Sequence, residues 1–206
     1  LTEWVSVLWQ TPQMDRLFGD GMSLQRKFLD RLVAVLIPEH TQHLYRYEHA
    51  LRERSKLLKE GRADEKWLTV LESTLAQETL AILSLRGSFL KELNPLCLEG
   101  VSKFPKVQLF LEGEVEAWAQ TSSALHVEEK LQKALAENRS LDTQMGGSRL
   151  GIHQTLVKIK YMGGDKYAEM CSTGEQKALL LGILLANCRL HERIKKLKPI
   201  LLLDEV

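Results

Sequence analysis

Only three cysteines occur in 206 residues, Cys97, Cys171 and Cys188. Their odd number and wide spacing exclude a disulfide framework and paired Cys-x-x-Cys zinc hooks, and fit a reduced, cytosolic compartment. An excess of charge of either sign is lacking too. Lys and Arg number 28 against 27 Asp and Glu, so no global attraction for nucleic acid exists and any DNA contact must come from a local patch. Long hydrophobic runs are missing: the longest, Ala178 to Cys188, is interrupted by Gly182 and Asn187 and flanked by Lys177 and Arg189. It is too short for a bilayer and reads as a buried helix. No basic, then apolar, then small-residue leader opens the chain, which reads as soluble, not exported and without membrane association. Internal repeats and low-complexity tracts are absent. An initiator Met is lacking at Leu1, and Val206 directly follows an acidic pair closing an apolar run, so neither end reads as a natural terminus.

What is present is enough apolar material, 44% of the residues, for one large domain or two small ones. Trp4 to Trp9 has strand composition and ends at Thr11-Pro12. After a Gly19/Gly21 loop, Ser23 is placed to cap a helix with Leu24, Phe28, Leu32 and Val35 on one face, up to Pro38. Glu39 to Glu60 repeats Leu44, Tyr47, Leu51 and Leu58 at helical spacing, with Arg46, Arg52, Arg54, Lys56 and Lys59 lining the remainder. From the cap candidate Asp64 to Asn94, Leu68, Leu71, Leu75, Ile82, Leu85, Phe89 and Leu93 form a near-heptad stripe. It predicts a helix on the order of 45 Å long, ending before Pro95 and antiparallel to its predecessor. The Trp and Leu stripes read as core.

Val107, Leu109 and Leu111 predict a short strand before Gly113, and Glu114 to Asn138 one helix with Leu125, Leu131 and Leu135 on one side. Beyond Gly146-Gly147 the period becomes two. Val157, Ile159 and Tyr161 predict a strand that turns at Gly163-Gly164-Asp165 and returns over Lys166 to Met170. Ser172 to Gly174 leads into a helix reaching about Lys196, and Ile200 to Leu203 has the continuous apolarity of a strand covered on both faces.

Two motifs carry chemistry. Asp204-Glu205 puts two carboxylates at the carboxyl edge of a sheet, where open α/β sheets bind ligands. The first suits Mg²⁺, and the second suits proton acceptance from a water attacking a γ-phosphate; equally, a strand that merely reaches solvent acquires such charges. Ser172, Thr173, Gly174, Glu175 and Gln176 start a helix whose free N–H groups and dipole favour a phosphate; a plain capping box has the same residues.

Together, this helix start, some twenty apolar residues and a strand ending in Asp-Glu resemble the signature and Walker B elements of ABC-type ATPases. Ser-Thr-Gly-Glu-Gln-Lys-Ala-Leu-Leu (172 to 180) is similar to the RecF family in particular. So are Arg26-Lys-Phe-Leu-Asp30, then Tyr47, Ala50, Leu51, Arg54, Leu57, Leu58, Trp67, Leu71, Leu75 and Arg86. The resemblance spans the chain and implies an α/β ABC-type ATPase head, partial here, with an inserted, mainly α-helical arm. Residues 1–30 and 146–206 would belong to the head and 31–145 to the arm.

It also implies ATP and Mg²⁺, with ATP sandwiched between two subunits of an ATP-dependent homodimer. Ser172, Thr173, Gly174, Glu175 and Gln176 would act in trans on the partner's ATP, Asp204 would serve Mg²⁺, and Glu205 would be the general base. Gln13 would sit at a Q-loop-like position near Mg²⁺, or be a solvated loop residue. The implied function is that of a recombination mediator in DNA repair, replication restart and the SOS response. It would bind double-stranded and gapped or single-stranded DNA, cooperate with RecR and RecO and help load RecA.

Lys56, Lys59, Arg62 and Lys66, where the two long helices meet, are candidate DNA-phosphate contacts or a solvated helix end. His40 and His43 are helical neighbours without a third ligand, so zinc is not expected. The family's Gly-Pro-His-Arg-x-Asp-like motif reads Gly151-Ile-His153-Gln-Thr155-Leu here, keeping only Gly151 and His153, and His153 fits a structural histidine as well. No G-x-x-x-x-G-K-[ST] occurs, so the chain reads as an internal fragment without Walker A and without the C-terminal end. It is expected not to hydrolyse ATP alone, while the whole protein would be a weak, DNA-stimulated ATPase. The alternatives are another SMC-like DNA-repair ATPase with a helical insertion, or a non-enzymatic helical scaffold.

Overall fold

The computed structural model describes residues 7–10, 14, 17–19, 21–61, 64–100 and 103–204. The chain divides into two compact units that interleave along the sequence. One is built from residues 1–38, 86–111 and 156–206, the other from 39–85 and 112–155.

In the first unit, β1 (Val7–Gln10) pairs in parallel with β5 (Ile200–Leu203), Val7 opposite Ile200. A second sheet has the order β2 (Val107–Glu112), β3 (Leu156–Tyr161), β4 (Lys166–Tyr167), the last two antiparallel. Helix α1 (Met22–Leu36) buries Phe28, Leu29, Leu32 and Val33. Its N-cap is Gly21 at φ 103°, with no side-chain cap bond, so Ser23 lies inside the first turn and does not cap it.

The strand expected over Lys166 to Met170 is only two residues long, because Ala168–Met170 turn into a 3₁₀ segment. Among the described residues, strand β5 is not covered on both faces. Its only partner among the described residues is β1, and Ile200, Leu202 and Leu203 are each about half exposed.

Helix α7 (Thr173–Lys195) is buried nearly all round in its middle, from Leu179 to Leu184, as the long apolar run requires. A methyl group at Gly182 would meet the Pro105 carbonyl at 3.3 Å, so glycine lets the loop before β2 approach the helix. At its far end Lys195 donates to the Val35 carbonyl of α1, 3.1 Å away.

Helix α3 (Glu65–Glu99) is roughly 52 Å long at 1.5 Å per residue and contributes to both units. It runs through Pro95 for another turn. The missing N–H and the ring clash cost about 3 kcal/mol, an amount that burying Leu93, Leu96 and Cys97 offsets. Asn94 adds a clamp on β2, donating to the Leu109 carbonyl at 3.0 Å and accepting from its N–H at 2.9 Å. The inward stripe is Leu68, Leu71, Leu75, Thr79, Ile82, Arg86, Phe89, Leu93 and Leu96. The steps are threes and fours, and from Ile82 the stripe passes through buried Arg86 and not through half-buried Leu85. The Arg86 guanidinium is neutralised by Asp30 of α1, with Nε and Nη2 each donating to one carboxylate oxygen at 2.8 Å.

The second unit packs α2 (Glu39–Glu60) and the first part of α3 against α4 (Glu114–Thr121), α5 (Ala124–Glu137) and α6 (Arg139–Met145). His43 and Arg46 reach Glu78 while Arg54 reaches Glu72, so α2 and α3 run antiparallel. The core is Tyr47, Ala50, Leu71, Leu75, Ile82, Val115, Val127, Leu131, Leu135, Leu150 and Ile152.

The single helix expected over Glu114 to Asn138 is broken at Ser122-Ser123. Ser123 takes an extended conformation and caps α5, accepting from the His126 N–H. The break leaves Leu125 exposed and puts Val127 in the core. One further expectation is overturned: Trp67 is 54% exposed and not core. Arg54, among the cations lining the remainder of α2, is fully buried. Among the described residues no helix is long and apolar enough to cross a membrane.

Candidate functional site

Ser172 stands outside the first turn of α7 with extended backbone, φ −63° and ψ 159°. Its hydroxyl oxygen accepts from the Glu175 N–H at 3.4 Å, and its own N–H donates to the Glu175 carboxylate at 2.7 Å. This reciprocal capping box fixes where the helix begins. The Ser172 O–H also donates to Glu175 Oε2 at 3.0 Å. Lys166, on β4, donates to both oxygens of the same carboxylate at 3.1 Å. Glu175 is thereby held below its ordinary pKa, first by the Ser172 backbone N–H and then by Lys166, while the Lys166 ammonium is raised by the bond it makes to Glu175.

Gln176 braces the approach to the helix, donating from Nε2 to the carbonyls of Ala168 at 3.0 Å and Cys171 at 3.1 Å. Cys171 is buried beneath, and burial pushes its thiol pKa up. What faces solvent is therefore Ser172, Thr173 and Gly174. Gly174 has open space where a Cβ would stand. The N–H groups of Thr173 and Gly174 have no acceptor within the chain among the described residues. Two free donors at the positive end of a long helix can receive an anion.

Asp204 is exposed just past the carboxyl end of β5, and among the described residues no hydrogen bond or ion pair joins it to the start of α7. Glu205, Gln13 and Arg62 lie outside the described residues. Lys56, Lys59 and Lys66 are exposed at the α2/α3 end of the second unit, without carboxylate partners among the described residues. His43 bonds Glu78 at 2.6 Å, and no group of three or more His, Cys, Asp or Glu among the described residues could hold a metal ion.

His153 accepts from the Tyr47 hydroxyl at Nδ1, 2.6 Å away, and donates from Nε2 to the Ser148 carbonyl at 2.8 Å. Both ring nitrogens are thus committed to the second unit's core. Gly151 beside it has φ +134°, and a Cβ there would come within 2.3 Å of the Tyr47 oxygen. Thr155 is fully buried, its hydroxyl donating to Glu116 and its N–H to the Ile152 carbonyl at 3.3 Å. The segment Gly151 to Thr155 is built as a packing element.

Two groups escaped the sequence reading. Lys166 follows a glycine turn and carries no motif; only the fold brings it to Glu175. The buried cluster of Arg54, Glu72, Arg139 and Asp142 was legible in principle, since Arg54 falls on the same stripe as Tyr47 and Ala50, as Arg86 does on α3.

No protein-family model matches the chain. Curated relatives match along its whole length. The DNA replication and repair protein RecF of Mesorhizobium japonicum is 38% identical over 208 residues, 100% of this chain and 55% of the relative. That of Brucella abortus is 36% identical over 208 residues, 100% of this chain and 54% of the relative. The chain thus spans about half the length of the curated relatives it matches. Among solved structures, the recombination mediator protein RecF of the RecFOR pathway is similar in its ATPγS form, with TM-score 0.84 and 23% identity over 98% of this chain and 55% of that one. Its ATP form gives TM-score 0.82 and 24% identity over the same shares. The fold is accordingly part of an α/β ABC-type ATPase head with an inserted, mainly helical arm.

Proposed function

Since this chain belongs to the RecF family of DNA replication and repair proteins, we propose that the whole protein is an ATP-dependent, DNA-binding recombination mediator and that the start of α7 is its signature element. The observation that carries this reading is the exposed Ser172-Thr173-Gly174 segment with two free N–H groups, locked in place by Glu175, Gln176 and Lys166. These residues would contact the γ-phosphate of an ATP held by a second copy, so that nucleotide binding drives a homodimer. Because the Ser172 hydroxyl is now given to Glu175, its engagement with phosphate requires that hydrogen to turn away while the Ser172 backbone bond keeps the cap.

Asp204, exposed at the end of a parallel strand, fits a Mg²⁺ ligand, and the ion would neutralise phosphate charge when bound. Glu205 would accept the proton of the attacking water, and Gln13 would lie near the metal. Lys56, Lys59, Arg62 and Lys66 would meet DNA phosphates, a contribution that weakens steeply with salt. Partners of the RecR, RecO and RecA type and a cytoplasmic location complete the proposal.

The test uses the whole protein. Ser172→Arg should abolish ATP-dependent dimerisation by light scattering while leaving nucleotide binding to the single copy intact, and Glu205→Gln should accumulate an ATP-bound dimer. A Ser172→Arg protein that dimerises with ATP as the wild type does removes α7 from the nucleotide interface.

A further inference from the structure

A pocket of about 340 Å³ opens in the first unit beside the Trp9 end of β1. Its apolar walls are Trp9, Met14, Leu17, Leu24 and Phe28, and Lys27 and Arg31 also line it. Leu17 and Phe28 are buried, whereas Trp9 and Leu24 are each more than one-third exposed. The two cations stand four residues apart on α1, which puts them on one face with their Cβ atoms roughly 6 Å apart.

Neither cation has a carboxylate partner among the described residues. The Arg31 guanidinium lies 4.7 Å above the Trp9 ring and 5.7 Å from that of Phe28. Its one hydrogen bond among the described residues goes to the Met14 sulfur, at 3.2 Å. A guanidinium has five N–H donors, and a thioether is a weak acceptor. Burial lowers the Arg31 pKa to about 10, the mark of a cation that has lost water without gaining an anion. Elsewhere in this chain buried guanidinium groups meet carboxylates, as Arg86 meets Asp30 and Arg54 meets Glu72 and Asp142. Arg31 is built differently.

We propose that this pocket is a docking site for an acidic linear segment of a partner protein, with one large apolar side chain in the pocket and carboxylates on Arg31 and Lys27. Three observations select this occupant. The two unpaired positive charges call for negative ones. Apart from them, the only polar group among the described lining side chains is the Trp9 indole N–H, so against these residues a nucleobase would bury its hydrogen-bonding edge unsatisfied, whereas a hydrocarbon side chain loses nothing. Lys27 is exposed at the rim while Arg31 is half-buried, so a ligand that engages both must extend out of the pocket, as a chain segment does.

The probe is a short acetylated peptide with one phenylalanine between aspartates, titrated into the protein with the Trp9 indole N–H resonance followed by NMR. It should bind, shift that resonance and weaken with salt. Replacing its phenylalanine by alanine, or its aspartates by lysines, should remove the shift. Lys27→Glu, an exposed change that leaves the core untouched, should weaken binding about fivefold to tenfold, and Arg31→Gln, checked for folding by circular dichroism, should weaken it further. Absence of saturable binding by this peptide and its tryptophan analogue at millimolar concentration overturns the proposal. So does unchanged affinity in Lys27→Glu, and so does preferential binding of an oligothymidylate at the same resonance.

Discussion

Arg54 and Asp142 lie 88 residues apart in the sequence, yet the Arg54 guanidinium donates to the Asp142 carboxylate at 2.6 Å with both side chains sealed from solvent. The same guanidinium reaches Glu72 at 3.0 Å and the Leu135 carbonyl at 2.6 Å, and Arg139 covers Glu72 from the outside. One cation thus joins α2, α3, α5 and α6. Removing it strands the buried Asp142 carboxylate and leaves Glu72 to Arg139 alone. Arg54→Met is expected to destabilise the protein by roughly 3–5 kcal/mol, and Arg54→Lys to recover little, since an ammonium cannot span three acceptors. Urea unfolding of the two variants measures both; a loss below about 1 kcal/mol for Arg54→Met would mean that the acids find water.

Gly151 supports a second long-range link. Its φ of +134° and the 2.3 Å that would separate a Cβ from the Tyr47 oxygen exclude a side chain. Gly151→Ala should cost roughly 2–3 kcal/mol. In a Tyr47→Phe background, where that oxygen is gone, the increment should shrink, and equal increments in both backgrounds would assign the whole cost to backbone strain. Thermal unfolding of the four proteins gives the comparison.

His191 makes stability depend on pH. It is fully buried with both ring nitrogens unpartnered among the described residues, and burial, aided by Lys195, lowers its pKa from 6.5 to about 4. The unfolded chain therefore binds more protons between those two values. Its contribution is fully present above pH 6.5 and is lost as pH falls through the window to about 4, by roughly 2–3 kcal/mol. The urea midpoint of the wild type should fall relative to that of His191→Leu as pH drops from 7 to 5, and parallel curves would show that His191 does not titrate between the states.

Glu175 acts with the same sign in a lower window. Its folded pKa is below 4.5, so the capping box and the Lys166 bond are present above 4.5 and lost as pH falls through the folded value. Carboxyl NMR should place the Glu175 midpoint below 4.5 in the wild type and closer to it in Lys166→Met. Amide exchange at Thr173 to Gln176 should quicken in that variant. Ser172→Ala should cost about 1 kcal/mol of stability, a loss separable from any effect on nucleotide, because Ser172→Thr keeps the cap.

Most of the helices were written in the sequence. Tyr47, Ala50 and Leu51, and Leu68, Leu71 and Leu75, recur at spacings that only a helix turns to one side, and Ser172 to Glu175 spell their own cap. Local chemistry is sufficient in such cases because the partners are one turn away. The same logic misplaced the ends that tertiary contacts override. Pro95 stays helical because Leu93, Leu96 and Cys97 are buried around it, and Ser122-Ser123 breaks a helix so that Val127 reaches the core.

By itself, then, the sequence determined the period of each element, the exposed Ser172-Thr173-Gly174 helix start and the apolar strand ahead of Asp204. Only the tertiary structure decided which charges are buried. Arg54, Arg86 and Arg31 are the same residue type on amphipathic helices, yet two are neutralised by acids distant in the sequence and the third is left over a pair of aromatic rings. Burial costs a charge its water, and whether that loss is offset depends on groups that sequence spacing does not bring together.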